Sequence, residues 1–294
     1  PACEYASEDV SLDIDLTLLY FLMKSIQFDT LNNKEKVAFI GKFIEEPRYQ
    51  GAGSSVVNPH KLDRVLDEVK KYDLEYVGYE PGFELKNKIN KGLIKKACKL
   101  ADKADVVVVF AGLDNVTEAE GIDRSNLLLP KGQLALIDEL LKLNKKIVVC
   151  LSCGSVVELP FAKKVNALLH CYLTGQAGAK AILNILTGKV NPSGKLAETY
   201  VLKYEDTPSV KYFHALENTA EYREGIFVGY RYFDKVNKPV LYPFGYGLSY
   251  TTFEYSDLTV DEKGAHFTIT NTGNFDGKVN TVTISVGWLF SLVK

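Results

Sequence analysis

Residues Val106 to Pro130 read VVVVFAGLDNVTEAEGIDRSNLLLP, and this stretch decides the fold. Its first part, Val106 to Phe110, is apolar throughout and rich in β-branched side chains, which suits a strand covered on both faces. Its second part, Gly112 to Pro130, is a polar loop, and a helical pattern begins near Lys131. A buried strand that delivers a polar loop at its carboxyl end is the repeating unit of an open α/β sheet. Ligands of such sheets bind at that end. The loop carries Asp114, Glu118, Glu120, Asp123 and Arg124 within a few residues of one another. A merely structural connection rarely needs so many acids beside one guanidinium.

The same alternation continues on both sides of the loop. Strands are predicted at Val37 to Ile40, Leu74 to Tyr79, Asp105 to Phe110, Lys146 to Leu151 and Ala167 to Leu173. Between them, apolar residues recur at helical spacing (Leu62, Val65, Leu66 and Val69; Leu93, Ala97, Leu100 and Ala101; Leu134, Ile137, Leu140 and Leu141). These patterns place helices at about 60–72, 91–103 and 131–144. A further helix at 177–187 stops at Gly188, with Pro192 just beyond. Strands alternating with helices imply parallel pairing and right-handed crossovers. The expected fold class is α/β: a doubly wound, mostly parallel sheet sandwiched by helices, followed by a partial β-sandwich. The expected domains are an irregular segment over 1–33, the α/β sandwich over 34–200, a connecting segment over 201–252 and the partial sandwich over 253–294. Within the first of these, the run Leu16 to Ile26 is assigned a short helix. The connecting segment is rich in Tyr, Pro and Gly and shows little periodicity. From Phe253 short alternating runs (FEYSDLTVD, AHFTITNTGN, VNTVTISVG) read as three strands, too few to close a β-sandwich.

Composition narrows the function. The 294 residues carry a net charge of −2, which gives no reason to expect nucleic acid or an anionic membrane as partner. The longest apolar runs fall short of a membrane span, and Leu16 to Met23 lacks the flanks of a signal peptide. On these grounds a cytoplasmic location is expected. Five scattered cysteines do not make a disulfide framework. Cys150 and Cys153 form a C-x-x-C, but no second pair has metal-ligand spacing, so they read as thiols in and beside a buried strand, and no metal is expected. His170, in ALLHCYL, reads as a core residue.

A second loop, Glu45 to Pro59 (EEPRYQGAGSSVVNP), follows the first predicted strand. Its Gly51 and Gly53 fit a dinucleotide fingerprint poorly, because the third glycine is absent and Arg48 and Tyr49 intervene. A tight loop presenting Arg48, Tyr49 and Ser54 at the sheet edge is the better reading. In the acid-rich loop, Glu118 and Glu120 lie two residues apart. Alternate residues of an extended segment point opposite ways, so the two do not form an opposed catalytic pair. Asp123 and Arg124 are placed to form a local salt bridge. On spacing alone, a solvated acidic loop is the favoured reading.

Longer motifs change that balance. EAEGIDRSNLLLP resembles the acid/base loop of glycoside hydrolase family 3, the β-glucosidase family. RYQGAGSSVVNP resembles the first-strand loop of that family's α/β sandwich domain. LTGQAGAKAILNILTGKVNPSGKL, from Leu173 to Leu196, resembles its Gly-Gln-x-Gly and Asn-Pro-Ser-Gly-Lys-Leu signature. YREGIFVGYRYFDKVNKPVLYPFGYGLSYT, from Tyr222 to Thr251, resembles the segment leading to a fibronectin-type-III-like domain, and NTGNFDGK resembles that domain's opening. The motifs occur in the family's order over roughly residues 35–280.

The resemblance implies a retaining β-glucosidase-like hydrolase acting on a β-glucoside or oligosaccharide, with no cofactor. It implies that Glu120 is the general acid/base, with Glu118 as the alternative. It places Asp123, Arg124 and Arg48 near the substrate, and Phe244, Tyr246 and Tyr230 as aromatic faces for a sugar ring; core packing is the competing reading for each ring. Gln176 and Gly178 shape a helix start. The family's nucleophile is an aspartate on a separate (β/α)8 barrel of roughly 250 residues, and no barrel is legible here. The chain is therefore expected to be a fragment, inactive without a barrel supplied in cis or in trans. Two alternatives from other classes stand beside this: a non-catalytic carbohydrate-binding or scaffold module, and, more weakly, nucleotide binding at the Gly51–Gly53 loop.

Overall fold

The computed structural model describes residues 21–25, 30–213, 219, 221–261 and 264–276. Its main sheet has six strands: β1 (Phe21–Ser25), β2 (Lys36–Ile40), β3 (Glu75–Glu80), β4 (Val106–Gly112), β5 (Lys146–Ser152) and β6 (Ala167–His170). Their spatial order is β1-β6-β5-β4-β2-β3. Strands β2 to β6 run parallel, and β1 lies antiparallel on the outer edge of β6. All seven residues of β4 are buried, which is why its sequence shows no alternation.

Helices cover both faces. The helix α1 (Val65–Glu68) packs beside α4 (Gly178–Leu186), while α2 (Lys91–Ala101) packs beside α3 (Lys131–Leu140). Asn90 caps α2, its side-chain oxygen accepting from Gly92 N at 3.0 Å and Leu93 N at 3.1 Å. Ile94, Ala97 and Ala101 form the buried stripe of α2. In α4, Ala181, Ile182, Leu183, Ile185 and Leu186 are all buried, so that helix is held on more than one side. Val37, Phe39, Phe110, Leu136, Ile137, Val149 and Leu183 belong to one continuous core. No helix of the described residues is long and apolar enough to cross a membrane.

Three sequence expectations are corrected. The helix assigned to 16–26 is a strand where it is described, β1, with Leu22 opposite Leu169; residues 16–20 and 26 lie outside the described set. A short apolar run fits either element, and the open edge of β6 decides between them. The helix expected over 60–72 is confined to Val65–Glu68 plus one 3-10 turn at Val69–Lys71. Asp63 N donates to Gln176 O at 2.9 Å, which holds the residues before α1 in a connecting path. The connecting segment 201–252, read as showing little periodicity, contains the helix α5 (Tyr230–Val236), and its Tyr242 bridges Tyr200.

Beyond it, β7 (Phe253–Asp261) and β8 (Gly264–Asn271) form an antiparallel pair. Asn191 Nδ2 donates to Asp276 O at 3.2 Å and so ties the end of this unit back to the α/β body. The third expected strand, VNTVTISVG, lies outside the described residues.

Candidate active site

The site grows out of an unequal ending of two neighbouring strands. β2 stops at Ile40, opposite Val109, whereas β4 continues to Gly112, opposite Ser152 of β5. The last residue of β4 therefore has a partner on its β5 side and an empty place where β2 has ended. The side-chain amide of Gln133, on α3, fills that place. Gly112 N donates to its Oε1 at 2.8 Å, and its Nε2 donates to Gly112 O at 2.8 Å. Gln133 is 2 % exposed. From β2 the chain passes to β3 on one side; from β4 it passes to β5 on the other. Their loops diverge at this point, which is where a doubly wound sheet opens a crevice for a ligand.

The β2 loop contributes Arg48, which is 5 % exposed. Its Nη1 donates to Asn115 Oδ1, and its Nη2 donates to Glu118 O at 2.8 Å and lies 3.7 Å from Glu118 Oε2. The carboxylate of Glu118 also accepts from Gly154 N at 2.8 Å and Ser155 Oγ at 2.5 Å, both on the loop after β5. Glu118 is thus enclosed by one guanidinium and two further donors and joins three loops together. Asp114 closes the turn before it, its Oδ1 accepting from Val116 N at 3.1 Å and Thr117 N at 2.7 Å.

Glu120 has a different partner, although the loop turns at residues 115–117 instead of running extended as alternation requires. Its carboxylate is exposed and accepts from the backbone N–H of Ser54 at 2.8 Å and from the Ser54 hydroxyl. These two bonds, the hydroxyl first, favour the ionised form and hold the carboxyl below the usual glutamate range. Asp123 is exposed. Arg124 is half-buried and donates from Nη1 to Ser155 Oγ at 2.9 Å and Val156 O at 3.1 Å. Burial lowers the Arg124 pKa, against the opposing attraction of Glu118.

Behind these loops lies a polar cluster that sequence reasoning missed. Burial raises the Glu198 pKa, with Tyr172 as a hydrogen-bond partner working in the opposite direction and Glu118 adding repulsion. His170, on β6, is fully buried, and burial pushes its pKa down to about 3. Its ring packs against Tyr172 with centroids 3.9 Å apart, and Cys153 Sγ lies 4.0 Å from its Nδ1. The expected core role of His170 therefore holds, and Cys150 and Cys153 are buried thiols. Nothing in the local pattern around Glu198 marked it. Gln133 left a faint mark, as an amide among the apolar positions of α3.

The aromatic candidates separate. Tyr230 and Phe244 stack on each other with centroids 4.8 Å apart and an angle of 22° between rings, and both are exposed. Tyr246 instead packs against the core beside Tyr242, with centroids 5.1 Å apart. Gly178 opens α4, as expected.

A cleft of about 220 Å³ runs beside the acid loop, between Phe43, Pro47 and Arg48 on one side and Asp114, Asn115 and Val116 on the other. A larger groove of about 890 Å³ lies between α2 and α3, floored by Ile94, Cys98 and Ala135. None of the acids of the 114–124 loop lines that groove, so size is a poor guide to the site here. No group of three or more His, Cys, Asp or Glu side chains among the described residues is arranged to hold a metal ion.

Chemically, the site offers two solvent-facing carboxylates, Glu120 and Asp123, on a loop fixed by a third and enclosed one, Glu118; of the two, Glu120 is the one held by Ser54. That arrangement suits a single proton donor or acceptor working on a group presented from outside this sheet.

Comparisons with known proteins agree on the family. The model of the glycosyl hydrolase family 3 C-terminal domain matches residues 31–250. Thermostable beta-glucosidase B of Acetivibrio thermocellus is 46 % identical over 236 residues, covering 79 % of this chain and 31 % of that protein. Exo-alpha-(1->6)-L-arabinopyranosidase of Bifidobacterium longum is 40 % identical over 259 residues, covering 86 % and 34 %. The crystal structure of a GH3 beta-glucosidase from Bifidobacterium adolescentis superposes with a TM-score of 0.82 at 36 % identity, covering 91 % of this chain and 42 % of that one. The chain thus spans about a third of the length of these curated relatives. With the matched sheet, the acid loop at its switch point and the motifs in order, the chain belongs to glycoside hydrolase family 3, of which it carries the C-terminal domain.

Proposed function

We propose that this chain is the α/β sandwich portion of a retaining β-glucosidase-like hydrolase and that Glu120 is its general acid/base. One observation carries the reading. Of the two loop glutamates, Glu118 is enclosed by Arg48, Gly154 and Ser155, while Glu120 presents its carboxylate to solvent at the carboxyl edge of the sheet. In a retaining mechanism the acid protonates the leaving oxygen and then, as a base, activates water, with a second carboxyl ~5–5.5 Å away as nucleophile. Glu118 faces away from Glu120, so the nucleophile comes from outside the chain, from a (β/α)8 barrel joined to it or docked on it. The exposed Val116, Ile122, Ile226 and Val228 supply apolar surface for such a partner. Arg48, Asp123 and Arg124 shape and orient the acid loop next to the substrate. Exposed Phe244, with Tyr230 stacked on it, is the better sugar platform; Tyr246 serves packing first. By itself the chain is inactive.

The test uses aryl β-glucosides with the complete enzyme. Glu120→Gln is expected to lower turnover by roughly 10²–10⁴-fold for poor leaving groups. The loss should be much smaller for good leaving groups, which need no proton, and azide should restore the second step. Full activity in Glu120→Gln together with loss in Glu118→Gln would reverse the assignment. Hydrolysis by this chain alone, abolished by Glu120→Gln, would refute the external nucleophile.

A further inference from the structure

The β2 loop grips Glu120 more closely than a passing contact requires. Glu120 N donates to Ala52 O at 3.1 Å, Ser54 N donates to Glu120 Oε2 at 2.8 Å, and the Ser54 hydroxyl donates to the same oxygen. Gly53 makes the approach possible. Its φ is +101°, and a Cβ placed there would stand 2.7 Å from Glu120 Cβ. Residues 52–54 therefore clasp the backbone and one carboxylate oxygen of Glu120 together. Both Ser54 contacts go to Oε2.

We propose that Ser54 is the positioning residue of the acid/base: by occupying Oε2 with two donors, it makes Oε1 the oxygen that carries the proton and sets the pH at which that proton is released. The proposal rests on the acid/base reading of Glu120. In the first step the C1–O bond breaks, its electron pair stays on the leaving oxygen, and that oxygen takes the proton from Oε1. The nucleophile, a carboxylate supplied by the rest of the enzyme, bonds to C1. In the second step water bonds to C1, Oε1 takes one of its protons, and the bond to the nucleophile breaks with its electron pair. Two donors fixed on Oε2 stabilise the carboxylate that the second step requires and disfavour the protonated form from which the first step starts, so they set the balance between the two.

Other charges do not compete for this role. Glu118 and Arg48 face each other, and Arg124 faces Ser155 and Val156. Asp123 is exposed, and the stretch from Tyr49 to Asn58 contains no charged residue. Burial opposes ionisation of Glu120, as the smallest of the three influences on it.

The decisive experiment is an NMR titration of this chain with carboxyl-labelled glutamate, the Glu120 signal being identified by its loss in Glu120→Gln. Ser54→Ala should shift the Glu120 midpoint upward, and Ser54→Thr, which keeps the hydroxyl, should restore it. In the complete enzyme, Ser54→Ala should move the alkaline limb of kcat/KM to higher pH in parallel. An unchanged midpoint in Ser54→Ala, or an equal shift in Ser54→Thr, overturns the positioning role even where Glu120→Gln abolishes activity. Conversely, unchanged activity in Glu120→Gln in the complete enzyme removes the catalytic reading while the titration still measures the clasp.

Discussion

Replacing Gln133 by Met tests how the acid loop is anchored. Methionine keeps the length and roughly the volume of glutamine but provides neither the donor nor the acceptor. Two buried backbone groups, Gly112 N–H and Gly112 C=O, then lose partners that lie at 2.8 Å each. A buried polar group left without a partner costs about 1–3 kcal/mol. Two of them on one residue, with partial relaxation of the strand end, give a loss of roughly 2–4 kcal/mol. That is a large share of a net stability of about 5–15 kcal/mol. Equilibrium urea unfolding followed by circular dichroism measures it, and amide exchange at Gly112 shows where it falls. Exchange should accelerate at Gly112 itself, while Val107 to Val109, paired on both sides by β2 and β5, stay protected. A loss under about 0.5 kcal/mol, with Gly112 still protected, would mean that water or a shift of the strand replaces the amide, and the anchoring argument would fail.

Arg48→Met should destabilise the chain by about 3 kcal/mol, because it leaves the partly enclosed Glu118 carboxylate without its guanidinium; a change in thermal unfolding equivalent to less than about 1 kcal/mol would show the pair to be incidental. His170 is neutral and buried, with a folded pKa of about 3 against an ordinary value of 6.5. Below pH 6.5 the unfolded chain binds a proton that the folded chain refuses, so stability falls as pH drops from 6.5 towards 3. At one pKa unit per 1.36 kcal/mol, about 3 kcal/mol is gone by pH 4. His170→Gln should flatten that part of the stability curve, and an unchanged acid limb would assign the loss to other groups.

The sheet was legible because its strands are buried on both faces and its helices keep an apolar stripe. VVVVF and IVVCL admit few other readings, and β4 and β5 lie where those runs are. The family motifs located the acid loop, but spacing alone left a solvated loop as the better reading of it. Glu118 and Glu120 have different partners, but the loop turns at residues 115–117, so alternation along an extended segment is not what separates them. What escaped has a common physical cause: each feature depends on a partner distant in sequence. β1 is a strand because β6 offers an edge some 145 residues later. Gln133 matters because β2 ends early. Glu198 joins the cluster through hydrogen bonds with Tyr172 and Val156, both distant in sequence. The aromatic residues 230, 244 and 246 share one motif yet divide between surface and core, a division set by the position of Tyr242.

The unequal ending of β2 and β4 also orders the assembly of the site in time. Contacts close in sequence form sooner than those that close long loops. Glu118 reaches Gly154 across 36 residues, within the span that builds β4, α3 and β5. Ser54 reaches Glu120 across 66 residues, and Arg48 reaches Glu118 across 70, and both wait for β2 to dock beside β4. On that order the acid loop is seated on its β5 side before the Glu120 carboxylate is clasped. A chain arrested between those events would have a nearly native centre and a Glu120 side chain not yet held by Ser54.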